Sequence, residues 1–566
     1  MKIHLGLLQE FVAELLPDNA AIIAKDRVLT HRDLAERSRR FARVLATRGL
    51  GCRKERRELQ PWESGHDHVA VYLYNCPEYL EVMYGSYKAR AASVNINYRY
   101  KADELHYLLD NSDARAIVYQ AAFAPLLEEV RSRLPRLEHL FQIPDDSGNA
   151  LLPGAVDYET ALAAEPATML DLPFSSDDLY ILYTGGTTGI PKGVLWRQED
   201  VFFNGLGGNL PHFGRLDTEE KLRSHVTMGI GGCSLICLPF MHGAGQWNAF
   251  NSFHRGGTIV LPDETKRLDA HAVWRAVEKH KCDQIGIIGD AFARPLITAQ
   301  REGKYDLSSL RVLVSTAAVL SPTVKQELLA ELPPVMVIES IGASELGMQA
   351  MANDTESGQK GVPAYQLRES TVLLKQDRSG ELAPGTDETG WITSTGDLCL
   401  GYMGDKEKTL ATFQTINGKR YAIGGDRGRY LPDGRVLFLG RDSSCINSGG
   451  EKIYAEEVER IVKSHPAVYD ALVVGVPNER WGQQVTAVMA LIPGRSAPTL
   501  EELRAHCAPH LACAHDRKAP AGSTRWAART RRPKMPSPTR PPAATASNRS
   551  NASPYTAASA AFFADS

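Results

Sequence analysis

Apolar positions along the chain fall in short, dense runs separated by segments whose apolar residues recur at helical spacing. HVAVYLY at 68–74, ARAIVYQ at 114–120, DLYILYT at 178–184, GGTIVLP at 256–262 and LRVLVST at 310–316 have the length and the β-branched and aromatic content of buried strands. Between them, 31–48, 101–110, 122–134, 269–281 and 322–332 carry the pattern of helices. This alternation, from about residue 20 to 440, predicts an α/β fold: a large N-terminal domain, 1–440, of parallel-rich sheets layered with helices. The opening segment places Leu5, Leu8, Phe11, Val12 and Leu15 close to helical spacing and reads as a capping helix.

After about residue 440 the texture changes. Helix-like 456–464 and 499–507 flank strand-like 471–477 and 485–493, the pattern of a small, mobile α+β C-terminal domain spanning 441–512. From 513 to 566 the chain is rich in Ala, Pro, Ser, Thr and Arg with almost no aliphatic core formers, so this tail is expected to be disordered. The charged stretch CRKERRELQPWESGHDH at 52–68 reads as a solvated surface loop.

Size and charge narrow the classes. At 566 residues the chain exceeds what one core usually serves, and its 43% apolar and 23% charged content is that of a globular protein. The net charge of -3, with acids and bases interspersed, argues against nucleic acid as a partner. No stretch approaches the ~20 apolar residues that span a bilayer, so no transmembrane segment is expected, and peripheral membrane contact stays open. The nine cysteines are scattered; Cys233 and Cys237 form a CxxxC pair without a second pair at zinc-ligand spacing. Free thiols in a reducing, cytoplasmic setting are expected.

The richest stretch is DLYILYTGGTTGIPKGVLW at 178–196. An apolar strand runs straight into Thr184, Gly185, Gly186, Thr187, Thr188 and Gly189, followed by Ile190, Pro191, Lys192 and Gly193. Such a turn brings backbone N–H groups and hydroxyls close to an anion, and Lys192 adds a positive charge near phosphate oxygens. It is not a GxxxxGK[ST] loop: Pro191 precedes the lysine and Gly193 follows it, leaving no hydroxyl for a metal and no helix start. Nor is it GxGxxG, so a dinucleotide fold is unsupported.

This loop closely resembles the signature of the adenylate-forming (AMP-binding) superfamily, and further elements follow in that family's order over roughly residues 20–510. The resemblance implies the following roles. In LPFMHGAG at 238–245, His242 would lie beside the activated carboxylate. STAAVLSP at 315–322 is similar to the small-residue turn that packs on adenine, through Ala317 and Ala318. IESIGASELG at 338–347 carries Ser340 on the nucleotide side, Ser344 for the α-phosphate and Glu345 for Mg2+, with Ile341 where the family usually has an aromatic ring. Asp426 and Arg441 would hold the ribose, and the literal STGD at 394–397 is a decoy because GYMGDKEKTLATF follows it. In INSGGEKIYAEEVE at 446–459, Ser448, Gly449 and Gly450 would let a pantetheine arm approach the backbone.

The implied activity is that of an acyl-CoA ligase using ATP, Mg2+ and coenzyme A, with Lys192, His242, Glu345 and Gly449 as catalytic residues. LPFMHGAGQWNAF carries no acidic residue to meet an α-amino group. Together with SIGASE and GDAFARP this resembles actinobacterial fatty-acyl and sterol-side-chain CoA ligases, so the expected substrate is a lipid-like carboxylic acid. One departure stands out. The family's C-terminal Pro-x-Gly-Lys motif finds its nearest match at Pro520, Ala521 and Gly522, with Ser523 in the lysine's place. That departure leaves open an adenylation-impaired nucleotide- or acyl-binding homologue. An acyl-AMP ligase of the same fold serving a carrier protein is a separate alternative, distinguished by whether free coenzyme A accepts the acyl group.

Overall fold

The computed structural model describes residues 2–185, 190–210, 213–353, 364–448, 451–478, 482–492 and 494–508. The expected tail at 513–566, the residues Gly186 to Gly189, and Gly449 lie outside these described residues. The opening helix runs Leu5–Leu15, and the longer helix His31–Thr47 starts at a capping box in which Thr30 and Asp33 satisfy each other's backbone N–H.

Among the described residues the largest sheet has fourteen strands. Six run parallel, in the order Ala20–Ala24, Thr258–Leu261, Cys233–Leu235, Gln284–Ile287, Val312–Ser315 and Met336–Ala343. Beyond Met336–Ala343 the sheet continues antiparallel through Gly347–Asn353, Ala364–Leu367, Val436–Arg441 and Lys419–Tyr430. The α/β expectation holds, but parallel strands make up only part of this sheet. The antiparallel half escaped the sequence reading because strands such as Lys419–Tyr430 mix charged residues and glycines with few apolar ones.

A second sheet of five parallel strands is built from His68–Tyr72, Ala92–Asn95, Ala114–Gln120, His139–Ile143 and Val156–Asp157. Every residue of His68–Tyr72 is buried, as a strand covered on both faces requires. Full burial of each valine side chain there, Val69 and Val71, stabilises the fold by roughly 2 kcal/mol relative to exposure. Wedged against both sheets is the hairpin Leu179–Thr184 and Lys192–Arg197, which holds Tyr180 and Trp196 wholly buried.

The charged stretch 52–68 is not simply solvated. Its centre is exposed, but Asp67 and His68 are buried, Cys52 bridges His66, and Asp67 accepts from Arg53 and Arg115. Charge run and loop therefore part company at the point where the segment enters the next strand.

After the turn Asp442–Ser444, the chain forms a four-stranded antiparallel sheet covered by the helices Ala455–Lys463 and Leu500–Cys507. This part has a core of its own, with Val458, Ile461, Val462, Val473, Val485 and Leu503. No helix among the described residues is long and apolar enough to cross a membrane.

Candidate functional site

The strand Leu179–Thr184 ends where Thr184 and Gly185 open onto a cavity of about 540 Å³. Its walls come from separate stretches that are remote in sequence. One wall is the turn Leu238–Pro239 leading into the helix Gly243–Phe253, whose N-cap is His242. The chain can turn this tightly because a Cβ on Gly245 would stand 2.4 Å from the Pro239 carbonyl oxygen. His242 faces the cavity, and burial together with the nearby Arg99 guanidinium holds its pKa below the ordinary value.

A second wall follows the ends of the parallel strands. Thr316 and Ala317 come just after Val312–Ser315, and Ser340, Ile341, Ser344 and Glu345 come from the end of Met336–Ala343 and its turn. Ala317 has φ +65°, a left-handed conformation that costs a residue with a Cβ about 1 kcal/mol or more and persists where surrounding structure enforces it. Ala318, the next residue, is exposed and absent from the cavity lining, whereas Ala317 lines it. The strained turn carries the chain away from the pocket after Ala317.

Glu345 is oriented by Tyr402, whose hydroxyl donates to Glu345 Oε1 at 3.0 Å. The adjacent Ser344 carbonyl accepts from Trp196 Nε1 at 2.8 Å, tying this turn to the buried hairpin. Two carboxylate oxygens, one of them held by a phenol, make a donor set that suits a hard cation.

The floor is the antiparallel pair Lys419–Tyr430 and Val436–Arg441, where Asp426 and Arg441 are register partners. Arg441 Nε donates to Asp426 Oδ1 at 3.3 Å. Burial pushes the Asp426 pKa up, and Arg441 opposes that shift. Asp397, in the literal STGD, does not line the cavity; it pairs through both oxygens with Arg215, and its backbone carbonyl accepts from Asn204 at 2.7 Å.

Lys192 reaches the cavity edge, but Nζ donates to Asp405 Oδ2 at 2.5 Å, so its charge is already partnered. The structure thus brings together Thr184, Gly185, Lys192, His242, Ala317, Ser340, Ser344, Glu345, Asp426 and Arg441, and leaves out Ala318. Gly186, Thr187, Thr188, Gly189 and Gly449 fall outside the described residues. Sequence reasoning passed over Tyr402, Lys408 and Thr412, which also line the cavity. All three lie in GYMGDKEKTLATF, a segment used only as a landmark for Asp426.

With this geometry in view, the comparisons with known proteins fall into place. The AMP-binding enzyme family matches residues 9–403, and the AMP-binding enzyme C-terminal domain matches 457–518. The chain is 46% identical over 502 residues to the medium-chain acyl-CoA ligase Mig of Mycobacterium avium, covering 88% of this chain and 91% of that one. It is 39% identical over 514 residues to the 3-oxocholest-4-en-26-oate–CoA ligase of Rhodococcus rhodochrous, covering 89% of each. In fold it resembles the anthranilate CoA ligase AuaEII in complex with anthranoyl-AMP, with a TM-score of 0.74 at 21% identity over 93% of each chain. A match over most of the chain, with relatives well above 30% identity along nearly their full length, identifies this protein as a member of the AMP-binding enzyme family.

Proposed function

We propose that this protein is an ATP-dependent acyl-CoA ligase acting on medium- or long-chain fatty acids or steroid-side-chain carboxylates. The observation that carries the reading is the convergence, on one cavity, of the phosphate-loop end at Thr184–Gly185, of Glu345 held by Tyr402, and of the Asp426–Arg441 pair. The relatives' names supply the acyl class: a medium-chain acyl-CoA ligase and a ligase of 3-oxocholest-4-en-26-oate.

In this reading Asp426 accepts from the ribose hydroxyls, and Arg441 fixes the carboxylate that does so. Ala317 and Ile341 bound the adenine, and Ser340, Ser344 and Thr184 offer donors and acceptors beside it. Glu345 would hold Mg2+, which would supply neutralisation of phosphate charge. The carboxylate of the acid attacks the α-phosphorus of ATP and pyrophosphate leaves. The thiol of coenzyme A then attacks the acyl carbonyl, and AMP leaves. His242, whose pKa is held below the ordinary value, is assigned a place beside the carboxylate, and the residues at 448–450 are assigned to the approach of the pantetheine arm. The domains are proposed as 1–440 for adenylation and 441–512 as the mobile C-terminal part, which matches the family's C-terminal domain from residue 457.

A carboxylate panel with ATP, Mg2+ and coenzyme A, read by thioester mass, tests the reading. Thioesters of lipid acids with stoichiometric AMP are the expected result; acyl-AMP that never passes to free coenzyme A would redirect it to a carrier-protein ligase. A second reading is favoured by Ser523 standing where the family has lysine: adenylation is slowed while thioester formation is spared. ATP–pyrophosphate exchange measured beside transfer from synthetic acyl-AMP separates the two half-reactions, and normal exchange removes this reading.

A further inference from the structure

Cys233 opens the strand Cys233–Leu235, and Cys282 stands two residues ahead of the strand Gln284–Ile287. These strands are parallel neighbours with Ser234 opposite Gln284. Asp283 fastens their starting ends twice: its N–H donates to the Cys233 carbonyl at 2.9 Å, and its Oδ2 accepts from the Cys233 N–H at 3.2 Å. Gly232 makes the close approach possible, with φ +62° and a carboxylate oxygen 2.5 Å from where a Cβ would stand. The outcome is two thiols, 49 residues apart in the chain, with Sγ atoms 3.8 Å apart.

That is van der Waals contact between sulfurs. With Ser234 opposite Gln284, Cys282 is offset from Cys233 by one residue. About 4.8 Å across and about 3.3 Å along the strands gives a Cα separation of roughly 6 Å, inside the range a disulfide spans, so bringing the sulfurs to about 2.0 Å asks for side-chain rotation and not strand movement. Accessibility sets the order of events. Cys233 is partly exposed at the end of the open turn Gly229–Gly232, whereas Cys282 is fully buried. The hydrogen bond with Cys282 draws the Cys233 thiol below its ordinary pKa, against burial and the Asp283 carboxylate, and the Cys282 thiol is correspondingly raised.

We infer that Cys233 and Cys282 are a peroxide-oxidised dithiol pair, a modification site that staples two strands leading into the cavity. The Cys233 thiolate attacks a peroxide oxygen, the O–O bond breaks, and the departing hydroxide takes a proton to leave as water. The resulting sulfenic acid is attacked by the Cys282 sulfur; the S–O bond breaks, the S–S bond forms, and the two thiol protons are accounted for in two waters. Nothing here depends on the proposed ligase activity.

The test treats the full-length protein with hydrogen peroxide, blocks remaining thiols and maps unreduced peptides by mass. The expected product is one peptide pair joined between residues 233 and 282, lighter by two hydrogens and split by reductant. Cys233→Ser and Cys282→Ser each abolish it. Cys237→Ser keeps it, because burial pushes the Cys237 thiol up to about 12 and its Sγ lies against the Gly286 carbonyl. The wild-type protein, once oxidised, also unfolds at a higher temperature, a shift that reductant reverses. Cys233 advancing to sulfinic acid with Cys282 still a thiol, or links between other cysteines, would overturn the inference.

Discussion

At the start of the buried hairpin and on the floor of the cavity, the same kind of residue is used in different ways. Asp178 and Asp426 are almost equally withdrawn from solvent, at 2% and 4% exposure. Asp178 accepts from Arg90 Nε and Nη2 at 2.9 and 2.7 Å and lies 3.4 and 3.3 Å from His4 and His66 Nε2. Burial works to raise its pKa, yet these partners hold it far below the usual carboxylate range. Asp426 has a single contact to Arg441 at 3.3 Å, and there burial prevails. Inside the fold a carboxylate is saturated and serves as a joint; at the cavity it keeps capacity for a ligand.

The largest expected effect breaks the saturated side. Asp178→Asn removes the charge that Arg90 needs while keeping the shape, leaving the buried guanidinium with Glu55 alone. Breaking such a pair costs about 3–5 kcal/mol, to be read as a lowered denaturant midpoint. AMP affinity of the folded protein should stay at the wild-type value. A loss below about 1 kcal/mol would show that saturation carries no stability here.

Acid attacks the same region by another route. His31, His68 and His254 are buried, and burial lowers each to about 4 from 6.5 against hydrogen bonds that the rings donate to backbone carbonyls. Their folded pKa lies below the unfolded one, so the unfolded chain takes up protons first. Stability is full above 6.5 and is lost as pH falls from 6.5 towards 4. Between pH 7 and 5 each contributes a loss of roughly 2 kcal/mol. Urea melts at the two pH values, repeated with His254→Gln, should show the variant losing less.

On the cavity side the sign of the stability effect changes. Because burial already disfavours the ionised Asp426, Asp426→Asn should leave the denaturant midpoint unchanged or slightly higher. Its amide can accept through only one oxygen, so AMP affinity should fall by about tenfold, near 1.4 kcal/mol, in calorimetric titration. Unchanged affinity would separate Asp426 from the nucleotide.

How much of this could be read from the chain alone depends on how local each feature is. The helices expected at 31–48, 269–281 and 322–332 are found as His31–Thr47, Ala270–His280 and Pro322–Glu331, because apolar spacing and an N-cap lie within a few residues of each other. The strand at 114–120 matches Ala114–Gln120 for the same reason. The antiparallel extension was hidden even where it is a local hairpin, as between Lys419–Tyr430 and Val436–Arg441, because its apolar pattern is diluted by glycine and charge. At the site, motif residues pointed to the cavity, but Ala318 and Lys192 could be placed only by tertiary geometry: one by a left-handed turn, the other by an aspartate 213 residues away. Likewise Cys233 was read beside Cys237, four positions on, when its near neighbour is Cys282.

The smallest effect separates the two aspartates that follow a glycine in similar settings. Asp397 sits in a literal Ser-Thr-Gly-Asp and Asp426 in Gly-Gly-Asp, and in the sequence only the segment GYMGDKEKTLATF after Asp397 marks it as the decoy. Asp397 is committed to Arg215, with side chains 28% and 40% exposed. A pair that open to solvent contributes at most about 1 kcal/mol. The Asn204 hydrogen bond goes to the backbone carbonyl of residue 397 and survives any change of side chain. Asp397→Asn should therefore shift the denaturant midpoint by less than about 1 kcal/mol and leave AMP affinity within twofold of wild type, an outcome that keeps ligand binding on the unsaturated carboxylate. A tenfold loss of affinity in Asp397→Asn, with Asp426→Asn silent, would exchange the two roles and move the ribose away from the Asp426–Arg441 floor.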